Sequence, residues 1–372
     1  MFEKGCNSIV KILYLITSLE NGGTQFVIPQ IVEVFKQYGH SVEIVSCEAR
    51  DMLGAGRLDE AGLSYTLMAS RKRSKIRNIF SLVKIIRKLK PDFIWTSLSA
   101  ATLVGQIAGK LTGVPVVSWK HSATVRSYTK AIQNFSKLWI ADSPTVARFL
   151  ETDVGVPKNH IMSWPLYCCD TSVTVSDYWN GDGVLRLGSI GRLAEQKNYF
   201  VLLEGLHLFR ERNPALADRV CLTIVGEGHQ RDELQSMINR YDMQNKVSLV
   251  GLLSKQDTAA FLEHLHVYIQ PSLFEGMCLA AHEAMAAGLP VMATPVGELQ
   301  KSVRDNETGF VLTDALPETI CANLEKIFSD PSMLERLGKR AMHDVRADYG
   351  PDTFQENGFL ILEKIRKDFV SA

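Results

Sequence analysis

Pro271-Ser-Leu-Phe-Glu-Gly-Met-Cys-Leu-Ala-Ala-His-Glu283 follows an apolar run at 267–270 and opens an Ala-rich stretch that closes at Gly288-Leu-Pro290. The short continuous run reads as a strand buried on both faces. The Ala-rich stretch has the length of a helix over 278–287, ended by a glycine and by a proline that cannot continue it. A second apolar run at 290–293 reads as the next strand. Strand, turn, helix and strand in this order make one βαβ unit with parallel strands.

The same alternation runs outward in both directions. Towards the C-terminus a short strand is expected at 310–312, with helices at 317–328 and 331–347. Towards the N-terminus strands are expected at 185–190, 220–225 and 247–250, and helices at 198–212, 230–241 and 256–264. Residues 171–183 are polar, glycine-bearing and aperiodic, and read as a linker. Before them the pattern repeats, with strands at 10–16, 42–46, 92–96, 115–118 and 138–141. Helices lie between these strands at 25–38, 76–89 and 101–111. The chain is therefore expected to be α/β, with two Rossmann-like doubly wound domains, 1–170 and 184–350, facing a central cleft. Ligands bind beyond the carboxyl ends of such strands, so that cleft is the expected active site. A last helix at 352–369, within residues 351–372, is long enough to pack back on the first domain.

Bulk properties agree with two globular domains. The chain has 372 residues, 46% hydrophobic and 22% charged, too many for one ordinary core. Its seven cysteines (6, 47, 168, 169, 221, 278 and 321) form no C-x-x-C. They read as reduced thiols of a cytoplasmic protein, the Cys168-Cys169 pair included. No segment reaches the ~18 apolar residues of a membrane span, and Ile9–Ile16 reads as a first strand rather than a signal peptide. The zero net charge hides an imbalance: residues 1–170 carry 21 Lys/Arg against 13 Asp/Glu, and the remainder 20 against 28. A basic first half suggests an anionic partner.

The chemistry concentrates at strand-to-helix turns. The backbone N–H groups of Gly276, Met277, Cys278 and Leu279 open the 278–287 helix, where its dipole favours an anion. Glu275 precedes the helix and can accept hydrogen bonds from polyol hydroxyls, although an acid before a helix is also an ordinary cap. Glu283 lies two turns further along. Upstream, Gly191-Arg192-Leu-Ala-Glu-Gln-Lys197-Asn198 follows the strand at 185–190, and its two cations suit a diphosphate or simply a solvated surface. Ile224-Val-Gly226-Glu-Gly228 holds two glycines of a G-x-G-x-x-G, with Arg231 in the third place. The turn at Gly251-Leu-Leu253 is a candidate for stacking on a nucleobase. In the first half, Asn21-Gly22-Gly23-Thr24 lets the backbone approach a ligand, or is a plain tight turn. His121, in Ser118-Trp-Lys-His-Ser122, ends a strand.

Pro271-Ser272 followed by Glu275-x7-Glu283 resembles the signature of the retaining glycosyltransferases of family 4, which have the GT-B fold and are also called group 1. The resemblance spans most of the chain and is firmest from Gly188 to Phe310. It implies that Glu275 contacts the donor sugar's hydroxyls and Glu283 the donor's ribose. It implies that Arg192 and Lys197 hold the diphosphate and that Gly226 lines the donor site. Gly22 and Gly23 then contact donor phosphate or acceptor, and His121 orients the transferring sugar without acting as nucleophile. The sequence departs from the family where Met277-Cys278 replace an aromatic and a small residue, where Gly297-Glu298 replace Gly-Gly, and where Lys301 stands near an expected acid. These changes leave the donor sugar open.

The activity implied is transfer of a hexose-type sugar, from UDP rather than GDP, to a glycan or lipid-linked acceptor such as a lipopolysaccharide, O-antigen or capsule precursor. No cofactor and no metal are expected, since D-x-D is absent. Ala286 stands where H-E-x-x-H needs histidine, which removes the zincin reading. A nucleotide-sugar epimerase of similar fold, or a non-catalytic nucleotide-binding protein, are the alternatives. An epimerase would turn over donor without acceptor. Arg71, Lys72, Arg73, Lys75 and Arg77 begin a stretch to Lys90 with nine basic residues and no acid. Its apolar positions Ile76, Ile79, Phe80, Val83, Ile86 and Leu89 have helical spacing, and over 78–89 they read as the buried face of a helix. The excess cation suggests peripheral docking at the inner face of the cell membrane, while no nucleic-acid-reading motif is present.

Overall fold

A computed structural model describes residues 9–370, apart from 21, 125–127, 176 and 315. It divides into two compact units, one holding the chain up to Cys168 and again from Pro351, the other holding Cys169–Gly350.

The first unit is built on a parallel sheet of seven strands: β1 (Lys11–Ser18), β2 (Ser41–Glu48), β3 (Tyr65–Leu67), β4 (Phe93–Ser97), β5 (Val116–Lys120), β6 (Leu138–Ala141) and β7 (Ile161–Ser163). Their order is β3-β2-β1-β4-β5-β6-β7, so the direction of winding changes between β1 and β4. Two edge strands, β3 and β7, were not expected. Each has only three residues and neither is fully buried, so neither carries an apolar signature. The short helices Ala55–Glu60 and Pro144–Phe149 were also not anticipated, being under two turns long. The helix expected over 25–38 divides at Val27 into Gly23–Phe26 and Ile28–Gln37. Pro29 sits in the first turn of the second piece, where it has no N–H to give and would clash with a preceding turn.

Five aromatic side chains form the centre of this unit. Trp119 stacks on Trp164 at 4.8 Å and 11°, Trp95 meets both edge-on, and Phe35 lies against Trp95. Phe354, from the helix Pro351–Ile365, closes the group at 5.0 Å from Trp164, whose Nε1 donates to the Phe354 carbonyl at 3.0 Å. Gly358 allows this approach, because a Cβ there would lie 2.5 Å from Val34 Cγ1 and 2.7 Å from Trp164. The last helix is thus part of the first unit's core.

The second unit carries a parallel sheet of six strands: β8 (Leu185–Ile190), β9 (Val220–Val225), β10 (Val247–Gly251), β11 (Val267–Gln270), β12 (Val291–Ala293) and β13 (Gly309–Val311). Their order is β10-β9-β8-β11-β12-β13, and the winding changes between β8 and β11. Loops that leave a doubly wound sheet at such a point diverge and open a crevice. Residues 171–183, read as a linker, pack on this unit. The Val175 amide donates to the Ala287 carbonyl at 2.8 Å, Tyr178 OH donates to Gly288 O at 3.1 Å, and Trp179 joins the apolar core. No helix among the described residues is long and apolar enough to cross a membrane.

Candidate active site

β8 and β11 pair through Val267 with Leu187 and Tyr268 with Gly188, so the loops that follow them emerge side by side. Lys197, in the loop after β8, meets Glu275, in the loop after β11, at 2.6 Å between Nζ and Oε1. The carboxylate is held from beneath by a chain of buried polar groups. Ser272 Oγ donates to Glu275 Oε1 at 2.7 Å, and Gln270 Nε2 donates to Ser272 Oγ at 2.8 Å. Tyr268 OH donates to Gln270 Oε1 at 3.0 Å and accepts from the Ile190 amide at 3.1 Å. Tyr268, Gln270 and Ser272 are all wholly buried. Groups so placed cost free energy unless they are paired, and here each secures the next. The sequence reading missed them. Polar residues at alternate positions of an apolar strand point to one face, and that spacing is the signal that would have found them.

Burial works against the Lys197 charge, but the acidic groups of Cys278 and Glu275, with the hydrogen bond to Glu275, outweigh it and hold its pKa above the ordinary lysine value. The Cys278 thiol is pushed up to about 12, by burial and then by the Glu275 charge, so at neutral pH it carries no charge and Glu275 is the counterion of Lys197. Since the thiolate is the reactive form, Cys278 is expected to resist iodoacetamide at pH 7.5 until the protein is unfolded. Mass spectrometry of peptides before and after denaturation checks this, and rapid native labelling at 278 would contradict it.

The helix Leu279–Ala287 starts directly after this pair. Cys278 caps it in a left-handed conformation (φ 57°), and the Met277 and Cys278 side chains are buried, which leaves backbone facing outward. First-turn amides lack helical acceptors and attract an anion. The loop is braced by Gly297 (φ 58°), where any Cβ would collide with the Gly276 and Glu275 carbonyls, and by the Glu298 amide, which donates to Gly276 O at 2.9 Å. Glu298 itself is buried and accepts from Tyr349 OH at 2.5 Å, while Lys301 pairs with Asp348 at 2.8 Å. Glu298 and Lys301, at two of the three departures from the family pattern, thus contact the helix Met333–Tyr349.

Gly226 (φ 144°) lies against the Gly191 carbonyl, where a side chain would not fit, and its amide donates to Gly251 O at 2.8 Å. Arg192 is exposed, and its guanidinium has no partner among the described residues. Leu253 is half-buried and Glu283 is exposed on its helix. The structure therefore brings Lys197, Glu275 and the 276–279 backbone together and braces them through Gly191, Gly226 and Gly297. Among the described residues no three His, Cys, Asp or Glu side chains converge as metal ligands.

Two histidines of this unit fix its acid response. His282 Nδ1 donates to the Cys278 carbonyl at 3.1 Å and Nε2 accepts from Ser302 Oγ at 2.9 Å, while His266 Nδ1 accepts from the Arg186 amide at 3.0 Å. Burial pushes both down from 6.5 to about 4. Below pH 6.5 the unfolded chain binds protons that the folded chain refuses, so stability is full above 6.5 and falls from there towards pH 4. A melting temperature that is level from pH 8 to 6.5 and then declines is expected by circular dichroism; a level profile to pH 4.5 would contradict it.

In the first unit, Gly22 and Gly23 follow β1, and Gly23 opens the helix Gly23–Phe26. A Cβ at Gly22 would lie 2.6 Å from Gln25 Oε1, and Gln25 Nε2 donates to Ser18 O at 3.2 Å. Asn21 lies outside the described residues. His121, just beyond β5, lines a small recess with Ser99, Thr102, Gln106, Lys120 and Tyr128. Its Nδ1 stands 3.6 Å from Asp142 Oδ2, too far for a hydrogen bond, and Asp142 is only 2% exposed. Both ring nitrogens of His121 and Asp142 Oδ1 are buried without hydrogen-bond partners among the described residues. Burying such groups unpaired is costly. Asp142 was missed by the sequence reading, although an acid one residue past a buried strand is visible in Leu138-Trp-Ile-Ala-Asp142.

Two Rossmann-like sheets, each with one reversal of winding, define a protein of the GT-B fold. Two family matches cover most of the chain: Glycosyl transferases group 1 over residues 182–344 and Glycosyltransferase Family 4 over residues 21–166. The chain belongs to the group 1/family 4 glycosyltransferases. An uncharacterized glycosyltransferase of Methanocaldococcus jannaschii is 28% identical over 163 residues, 44% of this chain and only 40% of that protein. The UDP-Gal:alpha-D-GlcNAc-diphosphoundecaprenol alpha-1,3-galactosyltransferase of Escherichia coli is 24% identical over 314 residues, 78% of each chain. Anabaena HepE, solved in complex with UDP and glucose, superposes with a TM-score of 0.81 at 17% identity, over 96% of this chain and 99% of HepE.

Proposed function

We propose that this protein transfers a hexose-type sugar from a nucleoside-diphosphate donor, UDP rather than GDP, to a glycan or lipid-linked acceptor, with retained configuration and no metal. The Lys197–Glu275 pair beside the start of the helix Leu279–Ala287 carries this reading. Lys197 has three donors and gives one to Glu275, so two serve the leaving diphosphate, together with exposed Arg192 and the amides near Gly276. Donors already aimed at a developing charge lower the barrier by ~3–4 kcal/mol each. Glu275, fixed by Ser272, holds the sugar hydroxyls while positive charge grows on the anomeric carbon. The bond from that carbon to the diphosphate breaks, and the acceptor oxygen bonds on the same face. The acceptor proton passes to the departing phosphate oxygen. Glu283 is assigned to the ribose, Leu253 to the base, Gly226 to the donor-site backbone, and Gly22 and Gly23 to donor phosphate or acceptor. The E. coli relative uses UDP-galactose and a lipid-linked acceptor, which supports a role in lipopolysaccharide, O-antigen or capsule assembly at the cytoplasmic membrane face.

The first test is thermal unfolding with UDP, GDP and their sugars. A ligand at 100 times its Kd stabilises the folded state by about 2.7 kcal/mol. UDP and a UDP-hexose should raise the melting temperature, and NMR of the product should show the donor's anomeric configuration. No shift with any nucleoside diphosphate, or an inverted product, would overturn the reading.

His121 and Asp142 are assigned to orienting the transferring sugar, His121 by contact and Asp142 through His121. Asp142→Asn is expected to lower kcat roughly tenfold, a modest share of what positioned acid–base groups contribute. UDP affinity should remain within about twofold. Unchanged kcat would remove Asp142 from this role.

A further inference from the structure

Glu298 stands where the family pattern has a second glycine, and its side chain has a defined place. The Glu298 amide donates to the Gly276 carbonyl at 2.9 Å, and its carboxylate accepts from Tyr349 OH at 2.5 Å. Both residues are buried, so water does not compete for this bond. Burial, and then the Glu298 charge, raise the pKa of the Tyr349 hydroxyl well above the ordinary value, so it stays a donor at neutral pH. The Tyr349 ring stands edge-on to His282 at 5.2 Å, and His282 donates to the Cys278 carbonyl at 3.1 Å. Tyr349 therefore reaches the loop twice, at Gly276 through Glu298 and at Cys278 through His282. Its own carbonyl accepts from the Cys169 amide at 2.9 Å. Cys169 is the first residue of the second unit, and Tyr349 lies two residues before Pro351, where the chain re-enters the first. Arg346, one turn earlier, adds a second tie by donating to Ala286 O at 3.0 Å and to Val173 O at 3.1 Å.

We propose that Tyr349 and Glu298 are positioning residues for the loop 276–279 and link it to the two passages of the chain between the units, a role that rests on reading that loop as the donor's diphosphate site. Exposed amides bind an anion well only if their peptide planes are already held, because order missing before binding must be created during it. Gly276 has no side chain to pack, so the Glu298 amide is what fixes its carbonyl. A glycine at 298 would keep that amide but leave the residue carrying it unanchored. The bond from Tyr349 supplies the anchor, and a hydrogen bond to a buried carboxylate is among the stronger ones. Both residues act through the backbone of the loop.

The test combines UDP titration by calorimetry, steady-state kinetics with a UDP-hexose and amide hydrogen exchange on the full chain. Tyr349→Phe keeps the ring against His282 and loses only the hydroxyl. UDP affinity and donor KM are expected to worsen roughly tenfold, the share of one buried hydrogen bond to a carboxylate, with kcat within about threefold. A merely structural loss would lower the folded fraction, and so kcat, at unchanged KM. Glu298→Ala should match this loss, and Tyr349→Phe/Glu298→Ala should lose no more than either alone, because bonded partners do not add. Glu298→Gln keeps an acceptor and should recover UDP binding to within about threefold of the parent. UDP should slow exchange at the Cys169 amide in the parent and not in Tyr349→Phe. Single variants that bind UDP like the parent, losses that add in the double variant, a Gln variant as weak as the Ala one, or exchange at Cys169 indifferent to UDP would each overturn this role and leave the donor site standing. A parent that binds neither UDP nor GDP would overturn the donor site itself, and this role with it.

Discussion

Glu275→Gln is expected to lower turnover by about 10²–10³-fold with the protein still folded, the loss that follows removal of one preorganised electrostatic contact. The substitution keeps size and one acceptor oxygen but removes the charge that faces Lys197 at 2.6 Å. Lys197 is then left as a mostly buried cation without its counterion, and its pKa, now held above the ordinary value, should fall. The pair's contribution to stability is present below the unfolded lysine pKa and is lost only as pH rises through the folded one, so melting at pH 7 reports the broken pair. Ser272→Ala should reproduce part of the loss in kcat with little change in nucleotide affinity, because Ser272 acts only by aiming the carboxylate. Steady-state kinetics with a UDP-hexose, beside a UDP thermal shift, separates these effects. Full turnover in Glu275→Gln would refute the assignment of Glu275.

Trp164→Ala should destabilise the first unit by ~3–5 kcal/mol, the usual cost of deleting a buried aromatic side chain. Trp164 is wholly buried, stacked on Trp119, and bonded through Nε1 to the Phe354 carbonyl. Trp119 in turn lies 5.4 Å from the His121 ring, so the cavity would also loosen the recess. Urea unfolding followed by circular dichroism measures the change. Trp164→Phe, which keeps an aromatic ring and loses the indole N–H, should cost less than half as much. A shift below about 1 kcal/mol for Trp164→Ala would mean that the aromatic group does not hold the unit together.

Much of this was legible in the residues. The strands at 185–190, 220–225 and 267–270 were read to the residue, because each is a buried apolar run between turn-forming residues. Glu275 and Lys197 were singled out by their place at strand-to-helix turns and by the family resemblance, but their direct contact was not foreseen, since they lie 78 positions apart. Tyr268 and Gln270 were taken as strand residues, because a strand pattern does not show which polar side chains share a hydrogen bond. Phe80, read as part of a buried helical face, is 63% exposed for a related reason. Helical spacing marks an apolar stripe, but the width of the sheet beneath decides how much of it is covered.

The closure of the first core by Phe354 and Gly358 bears on how the protein is made. Trp164 and its acceptor are 190 residues apart, and ribosomes add ~5–20 residues per second. For roughly 10–40 s of each synthesis the nascent sheet carries an uncovered indole, and the second unit can finish folding before the first. That interval is where chaperones would act on the growing chain.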